Sequence, residues 1–409
     1  MLRAKNTATG IGTIGYLVPE FPTQTHVLFW REIQALRALG ANIKLLSTRM
    51  PDSSLCPHAF AKQATAETCY VYPPTGIPGI RHALTHPRGV AKALTYVAKL
   101  TDTDLSATAR LLALALCAAK LAGYCDKTGI THIHGHSCAD AAHLLAMCRL
   151  MGGPAYSLTL HGDLVVYGKN HREKMTGAKF VSVVGSHLLH QIIADALLPK
   201  ERVWVTCMGI ESERLGNLPD KRCYVANRLN MVTVARLNPA KGHIHALAAL
   251  REMVNAGVDA RYTIAGGGDY RATLESHVHE LHLSDRVDFV GTQSEEEVMA
   301  LLTTADVFVL PSTGSGEAWP VSVMEAMACG TPVVSTIIGA TGEMITDGVD
   351  GLLVPQKDEL ALTAALLKMA KSPDLRRSLG EHAKVKAARD FNVISTANKL
   401  LEAIADGRT

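Results

Sequence analysis

The chain has 409 residues, 47% of them hydrophobic, a length that exceeds one ordinary core and implies roughly two to three domains. Its formal net charge of +3, with basic residues scattered among acids, excludes a nucleic-acid binder that works by neutralising phosphates. The nine cysteines form no CxxC pair and several sit in apolar runs (Cys117, Cys148, Cys207, Cys329), the pattern of reduced thiols and not of disulfides or zinc ligands.

The first ten residues, "MLRAKNTATG", are polar and lead into a strand-like run, unlike a signal peptide. No run reaches the roughly twenty apolar residues that span a bilayer, so a cytosolic protein is expected. "TIGYLVP" (13 to 19) predicts a strand, "VLFWREIQALRALG" a helix ended by Gly40, and "ANIKLLST" the next strand. "GITHIHGH" (129 to 136), "YSLTLHG" (156 to 162), "KFVSVV" (179 to 184) and "VWVTCMG" (203 to 209) continue the series, with helical intervals between most of them. Such alternation predicts a doubly wound parallel sheet.

Residues 76 to 124 interrupt that series. Arg81, Arg88, Lys92, Lys99, Arg110 and Lys120 outnumber Asp102 and Asp104 there, and the apolar residues recur at helical spacing. Two readings stand side by side: a pair of helices covering the sheet, and a basic amphipathic surface that touches anionic lipid.

The polar stretch "IESERLGNLPDKRCYVAN" (210 to 227) breaks the alternation and predicts a domain boundary. A second series follows it: "NMVTVARL" (230 to 237), "ARYTIAG" (260 to 266), "RVDFVG" (286 to 291), "DVFVLPS" (306 to 312), "TPVVST" (331 to 336) and "GLLVP" (351 to 355). Ser294 and Glu297 form a capping box before the helix that leads to the fourth of these strands. From Asp358 onward the chain reads as helical.

In open parallel sheets ligands bind beyond the carboxyl ends of strands, so the residues that follow strands carry the functional signal. Arg236 and Lys241, in "VARLNPAKGH", are two cations at one strand exit, suited to a diphosphate, although either alone has a surface role by default. "GGGDY" follows the next strand, and Gly266, Gly267 and Gly268 allow close approach of a ligand to the backbone; a plain turn is the competing reading. A dehydrogenase is discounted because "TGIGTIG" (9 to 15) precedes its strand instead of following it.

In "GEAWPVSVMEAMACGTPVV" (316 to 334) Pro320 suits a first helical turn, and Gly330 with Pro332 ends the helix. The unpaired amides of Val321 and Ser322, at the positive end of the helix dipole, suit a phosphate. Glu317 precedes that helix and Glu325 lies more than one turn inside it. Carboxylates beside a phosphate site are tolerable when they accept bonds from hydroxyls, and a nucleotide-sugar supplies both phosphate and hydroxyls.

"ARLNPAKG", "TIAGGGDYRATLE", "VDFVGTQSEEEV", "ADVFVLPS", "GEAWPVSVMEAMACGTPVV" and "GVDGLLVP", in this order, resemble the donor domain of the retaining family-4 glycosyltransferases of the two-domain GT-B fold. "YLVPEFPTQTHVLFWREIQALRALG", "HIHGHS" and "TLHGD" are similar to the branch that builds bacterial exopolysaccharides such as colanic acid, and the resemblance covers nearly the whole chain. It implies an α/β protein of two Rossmann-like doubly wound domains facing a central cleft. These are an acceptor-side domain over 1–210, with 76–124 as a basic helical insertion, and a donor-binding domain over 211–390. Residues 391–409 would form a helix that could return to the first domain.

The resemblance further implies a retaining transfer of a hexose-type sugar from a nucleotide-sugar, with uridine diphosphate sugars favoured by breadth of use in the family. The acceptor would be a glycan, a lipid-linked sugar or a small molecule, with no metal or other cofactor needed. Arg236, Lys241 and the Val321 and Ser322 amides would hold the diphosphate, Glu325 the ribose, and Gly266, Gly267 and Gly291 the nucleotide loop. Glu317 and His161 would act at the sugar, His161 from the opposite domain. Gln24, Thr25, His26 and Asp163 are candidate sugar or acceptor contacts. The nucleoside diphosphate would leave on the face from which the acceptor hydroxyl attacks.

Three positions depart from the family pattern: Ala318 stands in place of a glycine, "PTQTH" in place of a Ser-Glu-Thr loop, and the serine of "HIHGHS" in place of a phenylalanine. His134 and His136 therefore read as structural. A sugar-nucleotide epimerase and a non-catalytic sugar-nucleotide binder are the alternatives, and a peripheral contact with the inner membrane face fits the basic insertion.

Overall fold

The computed structural model describes residues 10–52, 56, 58–74, 77–101, 103–195, 197–314 and 317–406. The polar lead 1–9, Gly76, Asp102 and Gly316, each part of a stretch read above, lie outside them. The chain separates into two compact units, Met1–Gly209 together with Val393–Thr409, and Ile210–Asn392.

The first unit is built on a seven-stranded parallel sheet: β1 (Thr13–Leu17), β2 (Ile43–Ser47), β3 (Thr68–Tyr70), β4 (Ile130–Gly135), β5 (Ala155–Leu160), β6 (Val181–Val183) and β7 (Val203–Val205). The order β3-β2-β1-β4-β5-β6-β7 places the reversal of winding between β1 and β4. The strand β3 is absent from the sequence reading, because three residues, TCY, are too short to carry a strand pattern.

The helix Val27–Ala38 buries Phe29, Ile33 and Leu36, and Gly40 just after it takes a left-handed φ of 90°. The last helix, Val393–Ala405, packs on the same core through Ala397, Leu400 and Leu401.

Residues 77 to 128 form three helices, Ile77–Thr85, Pro87–Lys99 and Leu105–Thr128, correcting the expected pair. Pro87 in a first turn restarts the helix that the sequence pattern runs together. Asp104 caps the third by accepting from the Ala107 amide at 2.6 Å, and Gly129 ends it with φ 68°. That third helix, of 24 residues, is long and apolar enough to cross a membrane by length and composition. The sequence expectation to the contrary counted only uninterrupted apolar residues, and this helix reaches the length with a few polar ones interspersed. It buries Leu111, Ala115, Cys117, Leu121 and Cys125 within the unit. Lys120 donates to the carbonyls of Tyr70 and Pro73, each at 3.0 Å, so this basic residue ties the helix to the exit of β3.

The second unit is a six-stranded parallel sheet: β8 (Arg228–Val234), β9 (Asp259–Ala265), β10 (Val287–Gly291), β11 (Val307–Leu310), β12 (Val333–Thr336) and β13 (Leu352–Val354). Its order, β10-β9-β8-β11-β12-β13, reverses between β8 and β11. Its core includes Leu247, Tyr262, Ile264, Val309 and Leu366. The four residues of β11 are buried throughout, as a strand covered by helices on both faces must be. The capping box is formed: Ser294 Oγ accepts from the Glu297 amide and Glu297 Oε2 from the Ser294 amide. All nine cysteines are free thiols.

Candidate functional site

In the second unit the topology brings the exits of β8 and β11 side by side, and each carries part of one cluster. After β8, Asn238 opens a short turn, Pro239–Lys241, by accepting from the Lys241 amide at 3.2 Å. Gly242 then adopts φ 68°, and the helix His243–Asn255 begins. After β11, the chain passes Pro311 and Ser312 and reaches Glu317 just before the helix Val321–Ala328.

The two exits are stitched together. The Thr313 amide donates to the Ala240 carbonyl at 2.7 Å, and a Cβ on Gly242 would lie 2.7 Å from the Pro311 carbonyl carbon. Only a glycine allows this approach. The consequence is chemical: Lys241 Nζ donates to Glu317 Oε2, and Ser312 Oγ donates to the same oxygen at 3.0 Å. Lys241 and Glu317, 19% and 11% exposed, therefore form a half-buried ion pair at the switch point. A carboxylate otherwise adverse to an anion is neutralised in place, and the ammonium retains donors for a phosphate.

Arg236 is exposed beside this pair in sequence, and its carbonyl lies 3.3 Å from His243 Nε2. The fully buried His243 has its pKa lowered to about 4, mainly by burial, so it stays a neutral hydrogen-bonding group.

Pro320 is the N-cap of the motif helix and not a residue of its first turn; its extended ψ of 112° starts the helix at Val321. The amides of Val321 and Ser322 are the first two of that helix, where no intrahelical acceptor exists. Glu325 is buried, 7% exposed, one turn further in. The backbone at Ala318 is not left-handed, so alanine is accommodated where the family pattern has glycine. The carbonyl of Ala318 accepts from the Ala340 amide at 2.9 Å, which anchors the loop from the β12 side.

The glycines after β9 serve the same junction. A Cβ on Gly266 (φ 148°) would lie 2.9 Å from the Ala235 carbonyl carbon, and one on Gly268 (φ 152°) 2.9 Å from that of Leu237. Their freedom is thus used first by the chain itself, where the β8 exit crosses them. Gly267 faces Thr292, and Gly291 (φ 72°) accepts from the Gly266 amide at 2.8 Å.

In the first unit the carboxyl ends of β1, β4 and β5 gather a second cluster. His136 follows β4 and His161 follows β5; His136 Nδ1 and His161 Nε2 are 3.1 Å apart. The Tyr16 hydroxyl, on β1, donates to Glu32 Oε2 at 2.5 Å, and His136 Nε2 lies 3.4 Å from the same oxygen. Burial raises the Glu32 pKa to about 7, opposed by the Tyr16 bond, and lowers that of His161 to about 4. His134 is a core ring, bonded at 2.8 Å to both Ser157 and Thr159.

His26 stacks on Phe21 and meets Phe29 edge-on, and burial lowers its pKa to about 4. Its Nδ1 accepts from the Thr23 amide at 3.2 Å. Gln24 is half-buried and offers its carbonyl to His58 Nε2 at 2.7 Å, while Thr25 is exposed. Asp163 accepts from Gln191 Nε2 at 2.8 Å.

A cavity of about 830 Å³ opens beside the exits of β1 to β5, its walls including Arg49, Arg110, Leu111, Leu114, Tyr167 and Lys174. Among the described residues no group of three or more His, Cys, Asp or Glu side chains is placed to hold a metal ion.

Sequence reasoning missed Asn238, His243 and Ser312 in the second unit and Tyr16 and Glu32 in the first. Asn238 had a signal, since Asn-Pro marks a turn. The others carry none: Tyr16 and Glu32 are 16 residues apart, and Ser312 and His243, though only five and seven residues from their partners, sit in loop-to-helix stretches without a regular spacing that would pair them.

Residues 225–386 match the family described as glycosyl transferases group 1. The chain is 28% identical over 393 residues to WcaL of Escherichia coli (strain K12), named for colanic acid biosynthesis, an alignment covering 93% of this chain and 96% of that one. The amylovoran biosynthesis glycosyltransferase AmsK of Erwinia amylovora is 38% identical over 207 residues, 50% of each chain. Among solved structures, HepE of Anabaena in complex with UDP-glucose aligns with a TM-score of 0.72 at 16% identity, over 97% of this chain and 100% of that one. A glycosyltransferase from Rickettsia africae gives the same TM-score and identity over 97% and 99%. Two Rossmann-like units with such neighbours define the GT-B fold.

Proposed function

From a chain that carries a group 1 glycosyltransferase domain on a GT-B fold, and is thereby a glycosyltransferase, we propose a retaining enzyme of exopolysaccharide assembly that moves a hexose-type sugar from a uridine diphosphate sugar. The observation that carries the proposal is the Lys241–Glu317–Ser312 cluster at the switch point, beside the free amides of Val321 and Ser322. The relatives named for colanic acid and amylovoran support the pathway class, and the neighbour that holds UDP-glucose supports the donor class.

In this reading the leaving diphosphate is met by Arg236, Lys241 and the two amides, and Glu325 accepts from the ribose hydroxyls. Gly266, Gly267 and Gly291 shape the nucleotide loop. Glu317 orients the sugar, and His161 is assigned a sugar contact. The positive groups suffice for the charge that develops as the bond breaks, so transfer is proposed to need no metal.

A panel of nucleotides and sugar nucleotides tests the donor. Uridine diphosphate and its sugars at about a hundred times Kd should raise the apparent stability by about 2.7 kcal/mol, seen as a higher melting temperature. Lys241→Ala should lose that rise, and a chelator should leave it unchanged. A larger rise with guanosine diphosphate mannose would overturn the base assignment. Product analysis with donor alone separates transfer from epimerisation, and the anomeric configuration of the product decides retention.

For the acceptor, the 830 Å³ cavity joins an apolar wall, Leu111 and Leu114, to cations at Arg49, Arg110 and Lys174. That make-up suits a lipid-linked glycan with an anionic head, and Gln24, Thr25, His26 and Asp163 stand at neighbouring strand exits. The three-helix segment also exposes Ile80, Leu84, Leu105 and Leu116 together with Arg81, Arg88 and Lys92. A peripheral contact with the inner membrane face is part of the proposal, and these exposed residues support it. It should sediment with vesicles containing anionic lipid and not with neutral ones, and reversing Arg88 and Lys92 to glutamate should weaken sedimentation at least about tenfold. Equal sedimentation with both vesicle types would refute the electrostatic part.

A further inference from the structure

We infer that Glu32 is a positioning residue that acts through His136 to fix the tautomer of His161, so that His161 presents a lone pair, and not a proton, on its Nδ1. The inference rests on the proposed role of His161 at the sugar for its functional meaning, but its geometry stands apart from that role.

The cluster is a directed chain of polar contacts, hydrogen-bonded between Tyr16 and Glu32 and between His136 and His161 and joined by the 3.4 Å approach of His136 Nε2 to Glu32 Oε2. Tyr16, 1% exposed, has a pKa held well above its ordinary value, mainly by burial and then by the Glu32 charge, so its hydroxyl is a donor, and it donates to Glu32 Oε2. At about pH 8.5, above its pKa of about 7, the Glu32 carboxylate is ionised and only accepts. The buried His136 Nε2 makes no hydrogen bond to a described group and lies 3.4 Å from that same Oε2, an acceptor within its reach. A proton on Nε2 is therefore favoured, and a neutral imidazole carries only one, which leaves Nδ1 of His136 as an acceptor. Burial keeps both rings neutral, lowering the His136 pKa well below its ordinary value. His161 Nε2, 3.1 Å away, must then be the donor. His161 Nδ1 is left with a lone pair, able to accept from a sugar hydroxyl.

The scaffold holds this chain rigidly. The His136 amide donates to the Leu17 carbonyl at 2.9 Å, and the Tyr167 hydroxyl accepts from the His161 amide at 2.8 Å. Phe29 closes both rings from the side, its centroid 4.8 Å from that of His136 and 5.4 Å from that of His161. No rotation is needed to change the outcome; only the proton order along the chain can change.

Glu32→Met is of similar size and removes the acceptor that Tyr16 and His136 Nε2 both face. Nothing then favours a proton on His136 Nε2, so His136 and His161 should populate both tautomers. Imidazole nitrogen-15 spectra of the full chain at about pH 8.5, with the His161 signals identified by their loss in His161→Asn, report the tautomer directly. The expected result is His161 protonated on Nε2 in the wild type and in Tyr16→Phe, and a mixture of both tautomers in Glu32→Met.

A single Nε2-protonated His161 tautomer in Glu32→Met would overturn the inference, as would an Nδ1 proton in the wild type, which remains readable should the variant fail to fold. The functional counterpart is a fall of about twofold or more in kcat/KM for Glu32→Met, with affinity for uridine diphosphate alone unchanged. The proposed sugar contact is tested separately: full transfer by His161→Ala would refute it while leaving the tautomer result in force.

Discussion

Glu317→Ala is expected to lower kcat/KM for sugar transfer at least about a hundredfold, equivalent to about 2.7 kcal/mol of transition-state stabilisation. The carboxylate sits at the end of β11 with Ser312 and Lys241 both bonded to one oxygen, Oε2. Its other oxygen makes no bond that ties it into this cluster and is the one suited to a sugar hydroxyl. Removing the side chain loses that contact and leaves the Lys241 ammonium, 19% exposed, without its counter-ion.

Binding and chemistry should then separate. An unpaired Lys241 is a better partner for a diphosphate, so Glu317→Ala should bind uridine diphosphate as tightly as the wild type or more tightly while transfer collapses. Lys241→Ala should weaken diphosphate binding and transfer together. Calorimetric binding beside steady-state release of nucleoside diphosphate reads both. Full transfer activity in Glu317→Ala would remove Glu317 from the site.

The second large effect is on folding. Gly242→Ala is expected to destabilise the second unit by about 3 kcal/mol or more, lowering its melting temperature by roughly 6–12 °C. Two penalties combine there. Alanine is strained at φ 68°, and its Cβ would lie 2.7 Å from the Pro311 carbonyl carbon, so the β8 and β11 exits must move apart. The comparison variant is Gly257→Ala, which has φ 81° but nothing within 4 Å of the added Cβ. It should cost only about 1 kcal/mol, the strain alone. Equal melting temperatures for the two variants would show that the close approach at Gly242 carries no weight. Because Lys241 is the neighbouring residue, Gly242→Ala should also displace it from Glu317, and residual transfer should fall further than stability predicts.

Much of the architecture is legible along the chain. Strand-forming runs alternate with helices, and all six of the second unit's strands and its capping box fall where their sequence patterns place them, because each depends on residues within a few positions of one another. The exceptions are local patterns that fail. TCY is too short to announce β3, and Pro87 divides what spacing alone joins into one helix.

The site is less evenly legible. Lys241 and Glu317 stand out as chemistry-bearing residues after strands, and Pro320 marks the helix start to within one residue, as its N-cap and not as part of its first turn. Their pairing does not, since 76 residues separate them and only the β8–β11 adjacency brings them together. The same holds for the glycines after β9, which look like ligand contacts but first admit the crossing β8 exit. It holds most clearly for Glu32, an unremarked residue of an amphipathic helix whose meaning comes from Tyr16 and His136 on neighbouring strands.

The sequence by itself determined the elements, their alternation and the identity of the reactive groups, because propensity, capping and turn chemistry act over a few residues. Strand order, the Lys241–Glu317 ion pair and the direction of the Tyr16–Glu32–His136–His161 chain were decided only by the tertiary structure. Each of these depends on which strand exits become neighbours, and that is settled by the burial of both sheet faces and not by any local run of residues.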